Sequence, residues 1–479
     1  MLLARSFGSL RSLSLCAAVA VLAACSGGDG AAVPSRATTH RGSGSGSSSI
    51  THIVLMVQEN RTFNNFFAQF PGATGTLVGK GRQGKGKHAK TISIPLTEVG
   101  LEDEDLNHLY VSYVTAYDHG KMDGFNQIIF QRTGKPEKSK PYEYVNPNQI
   151  APYWTMAETY GLANQMFQTQ GSGSFTAHQD LIRGGTALDG TYGSSPSFID
   201  DPTSPKIWGC DGPYGMATSL ITVSLQYQHG TGPFPCSNAF PYGSTSYATL
   251  RDLMDGKSPP VSWKYYVPKL APAQPGGMWN AFDVIAPVRY SQEWGTNVNW
   301  PETNIFNDIS DGNLAAVSWV IPDAANSDHP GYGSDTGPSW VASVVNAIGQ
   351  SSYWNSTAII VVWDDWGGFY DPVTPPPADD QGGPGFRVPM IVISPYARET
   401  SSSHTGYVSN TVYEFGSIIA FIEETFALGN LGTTDTRCKS MDDMFDFNQA
   451  PRSFTVIPSK YSKSYFLHQK PSGLPVDTD

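Results

Sequence analysis

His52-Ile53-Val54-Leu55-Met56-Val57 runs straight into Gln58-Glu59-Asn60-Arg61-Thr62-Phe63-Asn64-Asn65-Phe66-Phe67. A short, unbroken apolar run rich in β-branched residues reads as a strand buried on both faces. The polar cluster then stands just beyond the carboxyl end of that strand, where open α/β sheets hold their ligands. The residues alone leave a second reading open, in which Glu59 and Asn60 simply begin the next helix.

Similar runs recur at residues 261–267, 315–321, 357–363 and 388–394, and amphipathic stretches at 150–160, 340–348 and 412–427 lie between or after them. Strands alternating with helices predict an α/β fold, a largely parallel central sheet covered by helices on both faces. No period of 20–50 residues is visible, which excludes a solenoid or propeller. No linker interrupts residues 50–465, so they read as one catalytic domain with insertions at 72–92 and 196–247, followed by a tail at 466–479. The 49 glycines and 35 prolines imply long ordered loops, and only 15% of the 479 residues are charged. A net charge of −12 argues against nucleic acid as a partner. The single basic cluster, residues 79–88, reads either as a solvated loop or as a contact for anionic lipid headgroups.

The amino terminus carries Arg5 and Arg11, a short apolar run and then Leu22-Ala23-Ala24-Cys25. About ten apolar residues span only ~15 Å as a helix, half of a ~30 Å hydrocarbon core. Residues 1–24 therefore read as a signal peptide, and the last four residues resemble a bacterial lipobox with Cys25 lipidated. Ordinary cleavage beside an incidental cysteine is the alternative. Loss of two arginines and no acid would take the net charge from −12 to −14. Residues 25–49 then form a Gly/Ser-rich tether, and the body is exported to the periplasmic or outer-surface side of a membrane. In such a compartment Cys210 and Cys236, which enclose a short Gly/Pro-rich loop, are expected to pair, with Cys438 left free; buried thiols are the other possibility.

The strand at 357–363 ends in Asp364-Asp365-Trp366-Gly367-Gly368-Phe369-Tyr370-Asp371. Adjacent desolvated aspartates repel, and a cation between them removes the repulsion. A capping role for Asp364 with Asp365 in water is the plainer reading. Gln170-Gly171-Ser172-Gly173-Ser174-Phe175-Thr176-Ala177-His178 offers hydroxyls in a glycine-rich turn, where a nucleophile could lie beside backbone N–H groups. It lacks a full Gly-x-Ser-x-Gly elbow.

Together these segments resemble a bacterial phosphoesterase family of the alkaline-phosphatase-like superfamily, which contains phospholipases C and acid phosphatases. Gln58-Glu59-Asn60-Arg61-Thr62-Phe63 is similar to its Q-E-N-R-S-F signature. Residues 363–371 resemble its W-D-E/D-x-G-G-x-Y-D motif, and Phe386-Arg387-Val388-Pro389-Met390-Ile391-Val392-Ile393-Ser394-Pro395-Tyr396 its F-R-V-P strand. Gly120-Lys121-Met122-Asp123-Gly124-Phe125 and Ser327-Asp328-His329-Pro330 follow in family order.

The resemblance implies an alkaline-phosphatase-like fold and a metal held by Glu59, Asn60, Ser174, Asp364 and Asp365. Ser174 would be the nucleophile of a phospho-enzyme, with Thr176 as fallback. An all-oxygen set suits one hard divalent cation, Ca²⁺, Mg²⁺ or Mn²⁺. His108 and His329 are expected to contact phosphate or protonate the leaving group, His178 to brace the loop, and His404 remains open. Trp279, Trp294, Trp300, Trp340 and Trp366 could line an entrance for choline or acyl chains. Asp365 stands where many relatives have glutamate, and Trp366 where histidine is frequent. The leading expectation is phospholipase C-like release of phosphorylated headgroups from a phospholipid. An acid phosphatase for soluble monoesters is the alternative, and a lipid-tethered, non-catalytic binding protein the remote one.

Overall fold

The strand His52–Gln58 is buried from Ile53 onward. It pairs in parallel with Val317–Val320 on one side and Thr357–Trp363 on the other. The computed structural model describes residues 49–474 except 85, 131–132, 137, 189–194, 202–208, 213–216, 233–235, 237–246, 270–275, 378–382 and 401–404. The signal peptide, Cys25, the tether up to residue 48, His404 and residues 475–479 lie outside the described residues. So does part of the 196–247 insertion.

The central sheet has eight strands. From one edge they are Val298–Asn299, Trp263–Tyr266, Val317–Val320, His52–Gln58, Thr357–Trp363, Met390–Ile393, Gly161–Ala163 and Tyr407–Ser409. Met390–Ile393 runs antiparallel to both neighbours, and every other pairing is parallel. The expected strands are all present: the first gains Gln58, Thr357–Trp363 is unchanged, and the other three are trimmed at their ends. Gly161–Ala163, Val298–Asn299 and Tyr407–Ser409 were not expected, because two or three residues are too few to show a period.

Both faces are covered. Leu55 lies opposite Trp319 and Gln58 opposite Trp363, and alternation puts these pairs on opposite faces. Trp319 donates its indole N–H to the Leu181 carbonyl (3.0 Å) in the helix Ser174–Arg183, which packs on Phe415–Phe426. Trp363 meets Tyr153 edge-on at 4.8 Å in the helix Ala151–Thr159, which packs on Gly337–Gly349.

The insertions hold small sheets of their own. Val78–Gln83 and Lys90–Pro95 form a hairpin, and Ser197–Phe198, Leu220–Ile221 and Tyr227–Gln228 form three antiparallel strands. Cys210 and Cys236 are bonded as expected, and Cys438 is outside any disulfide. Phe466, at the start of the segment read as a tail, is buried against Trp340, and the Ser472 N–H donates to Asp323.

Candidate active site

The parallel strands His52–Gln58, Val317–Val320 and Thr357–Trp363 end on one side of the sheet, and the chemistry-bearing loops follow them. The Glu59 N–H donates to Ser327 O at 2.8 Å, and the Asp364 N–H to Gln58 O at 2.9 Å. Asn60 adopts φ 60, a left-handed conformation that asparagine tolerates better than most residues. Its N–H then donates to Asp364 Oδ1 (2.9 Å), which also accepts from the Asp365 N–H (2.6 Å). Gly367 follows at φ 57; a Cβ there would collide with the Asn60 carbonyl. Gly367 thus lets the Asp-Asp turn close onto Asn60, and Gly368 makes room for Leu106.

Ser174 is the first residue of a helix and directly follows the glycine-rich segment that ends at its N-cap, Gly173. All ten residues of that helix are buried, including the polar Ser174, His178, Gln179, Asp180 and Arg183, so its polar side faces the interior of the protein and not solvent. Its hydroxyl donates to Asp365 Oδ2 (3.1 Å) and lies 3.4 Å from Asn60 Oδ1. Thr176 Oγ1 accepts from the Asp200 N–H (3.0 Å) and holds that loop. The Ser172 hydroxyl reaches the Gln170 and Gly173 carbonyls, and the Ser172 carbonyl accepts from Gln168 (3.1 Å).

His178, expected to brace the loop, instead stands among the acids. Its Nε2 is 3.1 Å from Glu59 Oε1 and 3.9 Å from Asp364 Oδ2. One ligand atom each from Glu59, His178 and Asp364 lies within 4.8 Å of the others. Position 178 is four residues beyond Ser174, so on a helix both face the same way. That spacing was the available signal, hidden because the segment did not read as helical.

Two histidines complete the site. His108 Nδ1 is 2.7 Å from Leu106 O, which fixes its N–H there and leaves Nε2 to accept from Asn60 Nδ2 at 3.1 Å. The same Nε2 is 3.7 Å from Asp365. His329 Nδ1 is likewise 2.6 Å from Pro330 O, and the two rings are 6.3 Å apart. His329 follows Asp328, whose φ is 69. Asp328 Oδ2 accepts from Tyr153 (2.6 Å) and Gln58 (3.1 Å), and its carbonyl accepts from Arg61 (3.0 Å). Sequence reasoning did not find this clamp, which joins residues far apart in the chain.

Burial governs the electrostatics. Desolvation, then the charge of Glu59, pushes Asp364 up to about 8; desolvation pushes Glu59 itself to about 8. Asp365 rises to about 7 through desolvation and then Asp364. Desolvation takes His178 down to about 4 despite both aspartates. Glu59 Oε2 and Asp364 Oδ2 are buried with no donor in hydrogen-bond reach. Undonated carboxylate oxygens beside an imidazole form a group that fits a metal cation, so the residues present suit the cofactor expected of them.

Other expected residues serve the scaffold. Arg387 grips Asp371 through two 2.9 Å contacts, and Asp371 also accepts from the Asn64 N–H (3.1 Å). That buried pair ties three of the motifs together. Phe125 of the Met-Asp-Gly-Phe motif packs on Trp366 and Phe386. Of the five tryptophans proposed for an entrance, Trp279 reaches the site, 6.3 Å from His178 and 6.1 Å from His329. Trp340 is a core residue, Trp366 is buried and donates its indole N–H to the His108 carbonyl (2.9 Å), and Trp294 lies tilted 6.3 Å from Trp300 with Arg289 over its ring.

The model of the phosphoesterase family matches residues 50–429. The chain belongs to the phosphoesterase family. Named relatives of this phosphoesterase are phospholipases C. It is 22% identical to the non-hemolytic phospholipase C of Burkholderia pseudomallei, over 85% of this chain and 61% of that protein. Phospholipase C A of Mycobacterium tuberculosis is 26% identical over 73% of this chain and 68% of its own. Phospholipase C B of the same organism is 29% identical over 89% and 82%. The chain thus spans about three-fifths of the Burkholderia protein's length. Among solved structures, that of Ps i-CgsB in complex with k-i-k-neocarrahexaose aligns over 83% of this chain and 75% of its own. Its identity is 10% and its TM-score 0.37, too loose a likeness to bear on function.

Proposed function

We propose that this phosphoesterase is a phospholipase C-like hydrolase that passes a phosphoryl group through Ser174 to water, with the help of one divalent cation. The observation that carries the reading is the Ser174 hydroxyl, 3.1 Å from Asp365 Oδ2 at the edge of a buried acidic group with two undonated oxygens. Glu59, Asn60, Ser174, Asp364 and Asp365 would hold the cation, joined by His178. An imidazole among oxygens favours Mn²⁺ or another borderline ion over Ca²⁺. Bound there, the cation supplies a lower pKa for the serine hydroxyl and charge stabilisation for the phosphoryl oxygens.

Ser174 Oγ forms the new P–O bond as the bond from phosphorus to the diacylglycerol oxygen breaks, and its proton moves to Asp365 Oδ2. The departing alkoxide takes a proton from Nε2 of His329 or His108 in its imidazolium form, the ring being held by a backbone carbonyl on Nδ1–H. Water then attacks phosphorus and passes a proton to that histidine, the P–O bond to Ser174 breaks, Asp365 returns its proton to Ser174 Oγ, and the phosphorylated headgroup leaves. The relatives' names support a phospholipid as substrate. Lipidation of Cys25 after export would hold the enzyme beside a bilayer.

Phosphatidylcholine and p-nitrophenyl phosphate assayed side by side test the reading. Faster release of phosphocholine, lost in Ser174→Ala, is expected. Faster cleavage of the monoester would point to an acid phosphatase instead.

A further inference from the structure

The helix Tyr110–Tyr117 starts two residues after His108, so its first turn adjoins the site. It buries Tyr110, Ser112, Tyr113 and Ala116. Val111 is 56% exposed and Val114 46%. Positions 111 and 114, three apart, form one stripe along the helix, and Asp118 follows its last residue as the C-cap. There Asp118 accepts from Arg82 (2.9 Å) and Lys121 (3.2 Å).

Arg82 lies on the strand Val78–Gln83. Alternation places Val78, Lys80 and Arg82 on one face, while Gly79 and Gly81 are buried, with Tyr142 against Gly79. Val78 is 52% exposed, and Lys80 and Lys121 are exposed. Three exposed valines and three cations thus lie on a helix with the turn after it and on a strand, which the Arg82–Asp118 pair joins. The acid of that pair, Asp118, is already matched by two of those cations. This sits on a chain whose net charge is −12.

The geometry points to this surface as the face that rests on an anionic lipid bilayer, with Val78, Val111 and Val114 at the acyl boundary and Lys80, Arg82 and Lys121 on lipid phosphates. The inference rests on the phospholipase reading of the Ser174 site. Charge chooses the occupant: a second copy meeting this face about a twofold axis would bring like cations together. An anionic leaflet supplies the opposite sign, and contact through few apolar side chains is reversible, as turnover on a surface requires.

Vesicle co-sedimentation separates this from the chemistry. The full chain carrying Cys25→Ser, which removes the anchor, and Ser174→Ala, which spares the lipid, is mixed with phosphatidylcholine vesicles with or without phosphatidylglycerol. Binding should require phosphatidylglycerol and weaken with salt. It should fall about fivefold for each of Lys80→Glu and Lys121→Glu, and at least as far for Val111→Asp with Val114→Asp. In the Ser174 parent, these changes should leave hydrolysis of a soluble, monomeric phosphodiester unaltered. Equal binding to both vesicle types, or binding indifferent to all four substitutions, would overturn the proposal. So would self-association, measured by sedimentation velocity, that the valine changes abolish while vesicles are not bound. If vesicle binding behaves as expected but the parent cleaves no phosphate ester, the reading of the site fails and the surface stands.

Discussion

The Ser174 hydroxyl donates to Asp365 Oδ2 across 3.1 Å, joining the first residue of a helix to a turn 191 positions later in the chain. Both residues are buried, so the contact exchanges with little water. If Ser174 is the nucleophile, Ser174→Ala should lower kcat at least about 10³-fold. Thermal unfolding should move by only a few degrees. Thr176→Ala removes a hydrogen bond to the Asp200 N–H and should cost about 1 kcal/mol in stability while leaving most turnover. The opposite ranking would move the nucleophile to Thr176.

The acids make metal and pH interdependent. Glu59 and Asp364 titrate near 8 and Asp365 near 7, all above their unfolded values. Between pH ~4 and ~8 the metal-free fold therefore keeps protons that the unfolded chain has released, and its stability falls as pH rises. His178, lowered to about 4, opposes this with one proton between pH ~4 and ~6.5. A cation replaces the protons, so the rise in Tm on adding Mn²⁺ should be larger at pH 8 than at pH 5. Calorimetry with and without chelator would show it. A Tm gain independent of pH would mean that these carboxylates are not the ligands.

His178 should matter to the metal more than to the fold around Ser174. His178→Gln is expected to weaken Mn²⁺ affinity about 10-fold or more and Ca²⁺ affinity much less, since imidazole suits the softer ion. Isothermal titration reads this directly. Equal losses for both ions would make His178 a brace.

The leaving-group proton gives a further test. His329→Gln should slow a substrate with an alkoxide leaving group about 10²-fold, yet barely affect one that loses p-nitrophenolate. His108→Gln is the comparison, because His108 also holds Asn60 at 3.1 Å. Whichever variant shows this dependence on the leaving group contains the lost acid.

Arg387→Ala should destabilise the protein by about 3–5 kcal/mol, because it leaves Asp371 charged and buried. Arg387 also bonds the Asn164 and Thr74 carbonyls, so the loss spreads over several loops. Chemical denaturation measures it.

The first strand and the Asp364-Asp365 turn were legible because a long apolar run with polar residues at its end has one economical place in a parallel sheet. The short strands Gly161–Ala163 and Tyr407–Ser409 were not, since their place is set by neighbours and not by their own residues. The five proposed metal-site residues could be named from ordered motifs, and the structure gathers them. The i, i+4 relation of His178 to Ser174 becomes visible only once Ser174–Arg183 is taken as a helix, and the glycine-rich run before it drew the segment toward a turn reading. The Tyr153–Asp328–Gln58 clamp was out of reach because such contacts leave no local pattern. Tryptophan number suggested an entrance; packing assigned most of those rings to the core.

The most direct measurement is an acid quench during turnover of phosphatidylcholine, followed by mass spectrometry of the peptide containing residue 174. The account predicts phosphocholine on Ser174, at a level that rises to a steady state and is absent without the divalent cation. An unmodified Ser174 throughout turnover, together with inversion at phosphorus, would show direct transfer to water and contradict it.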